Sequence, residues 1–434
     1  MKILKYSEPE FEQAASCLFD RKAFDSAVEA GVQTILDDVR ARGDAALSTY
    51  AAKYDGVELM PAEFRVSDEE IQEAASRVSV RMRKAIRTAC RQIRSFAAET
   101  VPKPWSYSPR KGVLVGERFA PLDRIGAYVP GGTAPLVSTV LHTVTLAAAA
   151  GVPEIVVASP PGADKAVHPA ILYAAQYAGA TEIYRLGGVY AIGALAFGTE
   201  TVRKVEKIVG PGNDYVATAK RQVYGYTALD LVAGPSEIMV IADDTASAGF
   251  IAADMLSQAE HGSGNEQVVL ATTAAEHLQS VPAELEKQSA ALERRECVRK
   301  VLDNGAFIIL VETPEQAAEL ASRYAPEHLE IMTRRPGLLA KKVTAAGAIF
   351  LGPWTPESVG DFVAGPSHVL PTGGAARFFS GLTVEQFFRR MSVVNYQKTA
   401  LVSELDIITA FGEAEGLDAH SRSATIRNDS NGAG

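Results

Sequence analysis

The sequence predicts an α/β protein with two Rossmann-like domains in series, each built on a parallel sheet, and helical segments at both ends. Three observations carry this. From about Arg124, short β-rich apolar runs alternate with helical ones. The same alternation resumes at EIMVIAD, residues 237–243. The first hundred residues, by contrast, space their apolar residues as helices do.

Taken in order, the stretch AVEAGVQTILDDVRARGDAALSTYAAKYDGV places Val32, Ile35, Val39 and Leu47 at helical spacing, and Gly43-Asp44 divides it into two helices. A second helical run extends from about Ser67 to Ala98 and ends before VPKPW. The first sheet draws its strands from RIGAYVP, EIVVAS, EIYRLGG and KIVGPG, with helices between them. The second draws on EIMVIAD, QVVLAT, AFIILV, HLEIMT and GAIFLG, with a helix through GFIAADMLSQAE. A helical tail follows from about Val384, with an extended stretch near SVVNYQ. The expected segments are 1–24 (N-terminal, helical), 25–127 (first part of domain 1), 128–234 (domain 2), 235–380 (second part of domain 1) and 381–434 (tail).

At 434 residues the chain exceeds one ordinary core. A net charge of −9 argues against a nucleic-acid partner, which would want a basic face. MKILKYSEPEFEQ has no apolar run suited to a signal peptide, and 135–152 reads as a buried helix rather than a span. Cys17, Cys90 and Cys297 are far apart with no metal spacing, which fits a reducing compartment, the cytoplasm.

Two glycine turns stand at strand ends, where ligands of open α/β sheets gather. In PGGTAP, Gly131 and Gly132 permit close backbone approach and Pro135 suits a first helical turn. That arrangement suits a phosphate at a helix N-terminus, or simply a tight turn. VGPGNDY exposes Asn213 at the second. The usual GxGxxG dinucleotide signature is absent. LSQAEHG puts Gln258 and His261 three apart on one helix face, able to share an ion or simply to end a helix. Asp361 and His420, with Glu415 five residues before the latter, would complete an N/O donor set fit for zinc, if the fold brought them together. YAPEHLEI sets Glu327 beside His328, as two proton carriers or as a strand-start pair. AGPSE and AGPSH deliver Ser236 and His368 from matching turns. His142, His168 and His277 read as ordinary helix or loop residues.

Together, AYVPGGTAPLVSTVL, VGPGNDYV, AGPSEIMVIAD, MLSQAEHG, RYAPEHLEIMT, GPSHVLPTGGAARF and AEGLDAH resemble the histidinol dehydrogenase family, from VRARGDAAL to His420. The resemblance implies a homodimer with one zinc per subunit, NAD as oxidant, and L-histidinol oxidised twice to L-histidine. By the family's pattern the metal ligands are Gln258, His261, Asp361 and His420. The last lies on a dimerisation tail given to the partner. His328 is the expected base for the first oxidation and Glu327 for the second. Ser236, His368 and Glu415 are expected at the substrate, beside His328 and the metal ligands, and Tyr128 and Asn213 at NAD. One departure stands out: GGVYAI places Tyr190 where the family has glutamine, so an altered cofactor contact is expected. The alternatives are a relative that oxidises another small alcohol, such as a sulfonated diol, and a zinc-stabilised scaffold. PGGTAP and Glu415 favour the imidazole substrate, and Glu327 with His328 argues against the scaffold.

Overall fold

A computed structural model of the chain describes residues 1–21, 26–131, 135–261 and 264–429. It has two compact units: Met1–Thr100 with Leu122–Gln386, and Val101–Pro121 with Phe387–Gly434. The strands are β1 (Lys2–Lys5), β2 (Trp105–Arg110), β3 (Val113–Pro121), β4 (Arg124–Tyr128), β5 (Glu154–Ala158), β6 (Glu182–Tyr184), β7 (Lys207–Val209), β8 (Ala228–Leu229), β9 (Glu237–Ala242), β10 (Gln267–Thr272), β11 (Ala306–Leu310), β12 (His328–Met332), β13 (Ala348–Leu351) and β14 (Phe388–Tyr396).

The first unit holds two all-parallel sheets, ordered β6-β5-β4-β7-β8 and β1-β11-β10-β9-β12-β13. Strands β4, β9 and β12 are buried at every position; β9 accordingly runs apolar after Glu237, whereas β12 alternates and so carries His328 and Glu330 into the interior. Helices cover the sheets. Val32, Leu36, Val39 and Leu47 pack with Ile192 and Leu195 over the five-stranded sheet. Ile251, Met255 and Val301 cover one face of the six-stranded sheet, and Leu18, Leu320 and Tyr324 the other. The expected N-terminal helical segment also contains a strand: β1 pairs in parallel with β11, Ile3 opposite Ile308. The four residues KILK are too few to carry a helical period, and they pair as an extended strand along β11.

Local chemistry shapes the turns that reach the strand ends. Asn213 caps the helix Asp214–Gln222 by accepting from the Val216 N–H at 3.1 Å. Before it, Gly210 adopts φ 111°, and a Cβ there would lie 2.2 Å from the Tyr128 carbonyl. Only glycine fits both demands. Lys220 and Asp230, both buried, hold the same turn. Asp230 accepts from Gly210 N at 2.7 Å, and Lys220 donates to Gly210 O at 2.7 Å.

The second unit is an antiparallel sheet, β14-β3-β2, followed by the helices Leu405–Glu415 and Asp418–Asp429. Phe388 to Tyr396 pairs with Pro121 to Val113 across nine positions. Residues 101–121 thus associate with the tail, a grouping the expected segment boundaries did not contain. Pairing between segments so far apart in sequence leaves no local period to read. Ile407, Phe411 and Val394 are 58%, 64% and 65% exposed. No helix among the described residues is long and apolar enough to cross a membrane.

Candidate active site

The polar cluster gathers at the starts of the neighbouring strands β9 and β12 and on the helices Ala248–Ala259 and Glu357–Phe362. At the start of β12, Glu327 and His328 are buried. Glu327 Oε2 accepts from the Glu237 N–H at 2.9 Å, and His328 Nδ1 lies 3.1 Å from the Glu237 carbonyl. A carbonyl only accepts, so Nδ1 carries the proton and Nε2 is left as the lone-pair nitrogen. That nitrogen is buried and has no hydrogen-bond partner. It points between Asp361 Oδ1 at 3.8 Å and Glu357 Oε1 at 3.9 Å. Burial pushes His328 down to about 4, so it is neutral near pH 7.

Glu357 and Asp361 stand four apart on the short helix Glu357–Phe362 and so share a face. With His328 they offer three ligand atoms within 4.8 Å of one another. Gln258 is fully buried at the end of the helix Ala248–Ala259, and neither amide atom makes a well-formed hydrogen bond. It does lie close enough to Glu357 to favour that residue's ionised form. Ser257, its neighbour, donates to Glu357 Oε2 at 3.1 Å. His261 is exposed just beyond that helix, near enough for its charge to bear on His328.

The site is strongly acidic. Asp254, Glu237, Glu327, Glu330 and Glu357 are all buried, and Asp361 nearly so. Arg21 pairs with Glu237 at 2.7 Å, and among the described residues no Lys or Arg pairs with the others. Burial, aided by the charges of Glu237, Asp361 and Glu357, drives the Glu327 carboxyl well above its usual range. Burial and the Asp361 charge raise Glu357 as well. Burial would also raise Asp361, but the neighbouring His368 overcomes it and holds that carboxyl below its usual range. Glu330 lies beside Asp254, is pushed up by burial, and accepts from Glu357 N at 2.7 Å. Buried carboxylates without countercharge, an orphaned imidazole nitrogen and an orphaned amide are the features a divalent cation would satisfy. The donors are N and O, a set that suits zinc.

His368 sits above Asp361, Nδ1 to Oδ1 at 3.6 Å, with Nε2 3.4 Å from Thr139 Oγ1. Its other neighbour is His142, whose ring stacks on it at 4.5 Å and 27°. His142 is therefore not an ordinary helix residue. It is fully buried, and both ring nitrogens lack a well-formed hydrogen bond. His277 and His168 do behave as expected. His277 bonds Thr272 and Ala246, and His168 caps the helix Pro169–Ala178. Ser236 is half-buried at the turn before β9. Glu415 and His420 lie on the second unit, exposed, at the end of Leu405–Glu415 and in the first turn of Asp418–Asp429.

The expected cofactor residues gather at the C-terminal ends of β4, β6 and β7. The Tyr128 hydroxyl accepts from the Gly188 N–H at 3.1 Å. Tyr190 is buried and donates to Asp55, whose carboxyl is itself raised by burial. So Tyr190 presents no free hydroxyl to a ligand, and Asp55 becomes the polar edge of this turn. A Cβ at Gly187 would lie 2.7 Å from Pro160 and 3.1 Å from Asp55 Oδ1, so the backbone there is packed close. Residues 132–134 of the PGGTAP turn, Gly132 included, lie outside the described residues. Asp55, Glu357, Asp254 and Glu330 were not singled out from the sequence, and His142 was read as an ordinary helix residue. Glu357 four residues before Asp361, Asp254 four before Gln258, and Glu330 two after His328 carried readable spacings; Asp55 had no local signal.

The profile of the family described as Histidinol dehydrogenase matches residues 20–428. The chain belongs to the histidinol dehydrogenase family. It is 44% identical over 408 residues to "Histidinol dehydrogenase" of Heliobacterium mobile, covering 94% of this chain and 95% of that one. It is 45% identical over 410 residues to the relative of the same name in Geobacillus kaustophilus, covering 94% and 96%. Among solved structures, histidinol dehydrogenase from Elizabethkingia anophelis superposes with a TM-score of 0.92 at 37% identity, covering 99% of this chain and 98% of that one.

Proposed function

We propose that this chain oxidises L-histidinol through L-histidinal to L-histidine, the last steps of histidine biosynthesis, with NAD as oxidant and zinc as metal. The observation that carries it is the neutral His328 with its Nε2 unpartnered, held beside a buried Glu327 and facing Asp361. Gln258, His261 and Asp361 would hold the metal with the partner subunit's His420. Zinc, when bound, supplies fixed positive charge that orients the substrate's imidazole and amine, and NAD, when bound, accepts a hydride at each oxidation. His328 Nε2 takes the hydroxyl proton as the carbinol carbon loses hydride. Water then adds to the aldehyde, and Glu327 takes the proton from that water. The hydrate's second loss of hydride leaves the acid. A Glu327 of raised proton affinity is a strong base once countercharge ionises it. Ser236, His368 and Glu415 would contact substrate. Tyr128, Asn213 and Tyr190 would line the nicotinamide side, Tyr190 acting through Asp55.

We place the chain in a homodimer, because Glu415 and His420 sit exposed in a unit whose Ile407 and Phe411 are also bare. Its three free cysteines and its net charge of −9 fit a cytoplasmic protein with no nucleic-acid partner. The test is NADH formed per L-histidinol consumed, with and without chelator. Two NADH per substrate, lost on chelation and restored by zinc, is the expected result. Zinc-loaded protein that ignores histidinol but oxidises small diols would refute the assignment.

A further inference from the structure

One buried residue of this region has no place in the chemistry above. His142 lies in the helix Val137–Ala150, fully buried, with neither ring nitrogen in a well-formed hydrogen bond. The Asp361 backbone lies close by but out of hydrogen-bond geometry. A leucine or methionine would fill the same volume without stranding two polar atoms, so packing alone is a poor reason for imidazole here. What the ring does is visible in its contacts. It stacks face to face on His368 at 4.5 Å, while Thr139, one turn earlier on the same helix, stands 3.4 Å from His368 Nε2. The backbone is tied at the same place: Ser367 Oγ donates to the His142 carbonyl at 3.2 Å. His368 is thus held on one face by His142, at one nitrogen by Thr139, and at the other by Asp361, 3.6 Å away.

We propose that His142 is a positioning residue: its ring fixes the plane of His368, and through His368 it fixes the Asp361 carboxylate as a metal ligand. The proposal rests on the zinc reading above. Outer partners of a metal ligand set its direction, and their loss commonly costs 10- to 100-fold in affinity. A flat ring does this where a flexible side chain cannot, because the stack fixes an angle as well as a distance.

The test is zinc affinity of the full-length apoprotein, by competition with a chromophoric chelator, read beside the melting temperature of the same metal-free samples. His142→Leu should raise the zinc dissociation constant about 10- to 100-fold. Its metal-free melting temperature should hold or rise, since two unpaired buried polar atoms are gone. A merely structural histidine gives the reverse, a lower melting temperature with unchanged zinc affinity, and that result overturns the proposal. His142→Phe keeps the stack without the nitrogens and should bind zinc within about threefold of the parent. If Phe weakens zinc as much as Leu does, stacking is not the cause and the proposal fails. Should Leu not fold, His142→Met fills the volume without a ring and takes its place. Parent turnover of L-histidinol is measured on the same preparation. Its absence would refute the assigned reaction while leaving the substrate-free zinc comparison to judge His142.

Discussion

Glu327→Gln should separate the two oxidations. Glutamine keeps the size of the side chain, and its carbonyl can still accept from the Glu237 N–H that now sits 2.9 Å from Oε2. It cannot take a proton from water. A positioned general base contributes about 10²- to 10⁴-fold, or about 3–5 kcal/mol of barrier. The second oxidation should slow by that factor. The first should slow less than about tenfold, because His328 keeps its Nδ1–H bond to the Glu237 carbonyl and its free Nε2. Stability works as a control. Burial and the charges of Glu237, Asp361 and Glu357 all oppose ionisation of Glu327, so a neutral isostere should leave the metal-free melting temperature equal or higher. The assay gives the enzyme L-histidinol or L-histidinal separately and counts NADH. The variant should release close to one NADH per histidinol, accumulate aldehyde, and turn over added histidinal poorly. An equal fall in both half-reactions, with two NADH still formed per histidinol, would show that Glu327 and His328 do not divide the proton transfers as argued.

Asp361→Asn should weaken zinc binding by at least about 100-fold in equilibrium dialysis, since it removes a carboxylate of reduced proton affinity from the cluster. Glu182, in a bidentate pair with the buried Arg124, is held at about 2 against an ordinary 4.5. A depressed carboxyl stabilises the fold above the unfolded value and loses that stabilisation as pH falls from about 4.5 to 2. Glu182→Gln should therefore cost about 2 kcal/mol at pH 7, after allowance for solvent at the sheet edge, and almost nothing near pH 2, measured by urea unfolding. Gly210→Ala should cost more than about 2 kcal/mol and raise the KM for NAD, because its Cβ would press on the Tyr128 carbonyl at 2.2 Å. Wild-type stability and KM in that variant would contradict the account of the turn.

Much of this molecule was determined locally. Most central strands of the parallel sheets, such as EIVVA, EIMVIA, QVVLAT and AFIIL, announce themselves as short apolar runs, because a strand covered on both faces has no reason to alternate. Gln258 with His261, and Glu327 with His328, stand out in the sequence as close polar pairs, but the shared helix face expected of the first pair is not formed: the helix ends at Ala259, leaving Gln258 buried and His261 exposed beyond it. Tertiary structure alone decided the rest. Glu357, Glu330 and Asp254 come from separate segments and join the site only when β12 lies against its neighbours and two helices meet above it. The partner of the Tyr190 hydroxyl, Asp55, lies 135 residues away in sequence and was set by the fold alone. His142 read as a plain helix residue until its ring met His368. Residues 105–121 gave no hint that they pair with β14, since antiparallel partners so distant share no period. Proton affinity belongs to the same class: His328 and Glu327 depart from their ordinary values mainly because burial removes water, and burial is a property of the packed chain.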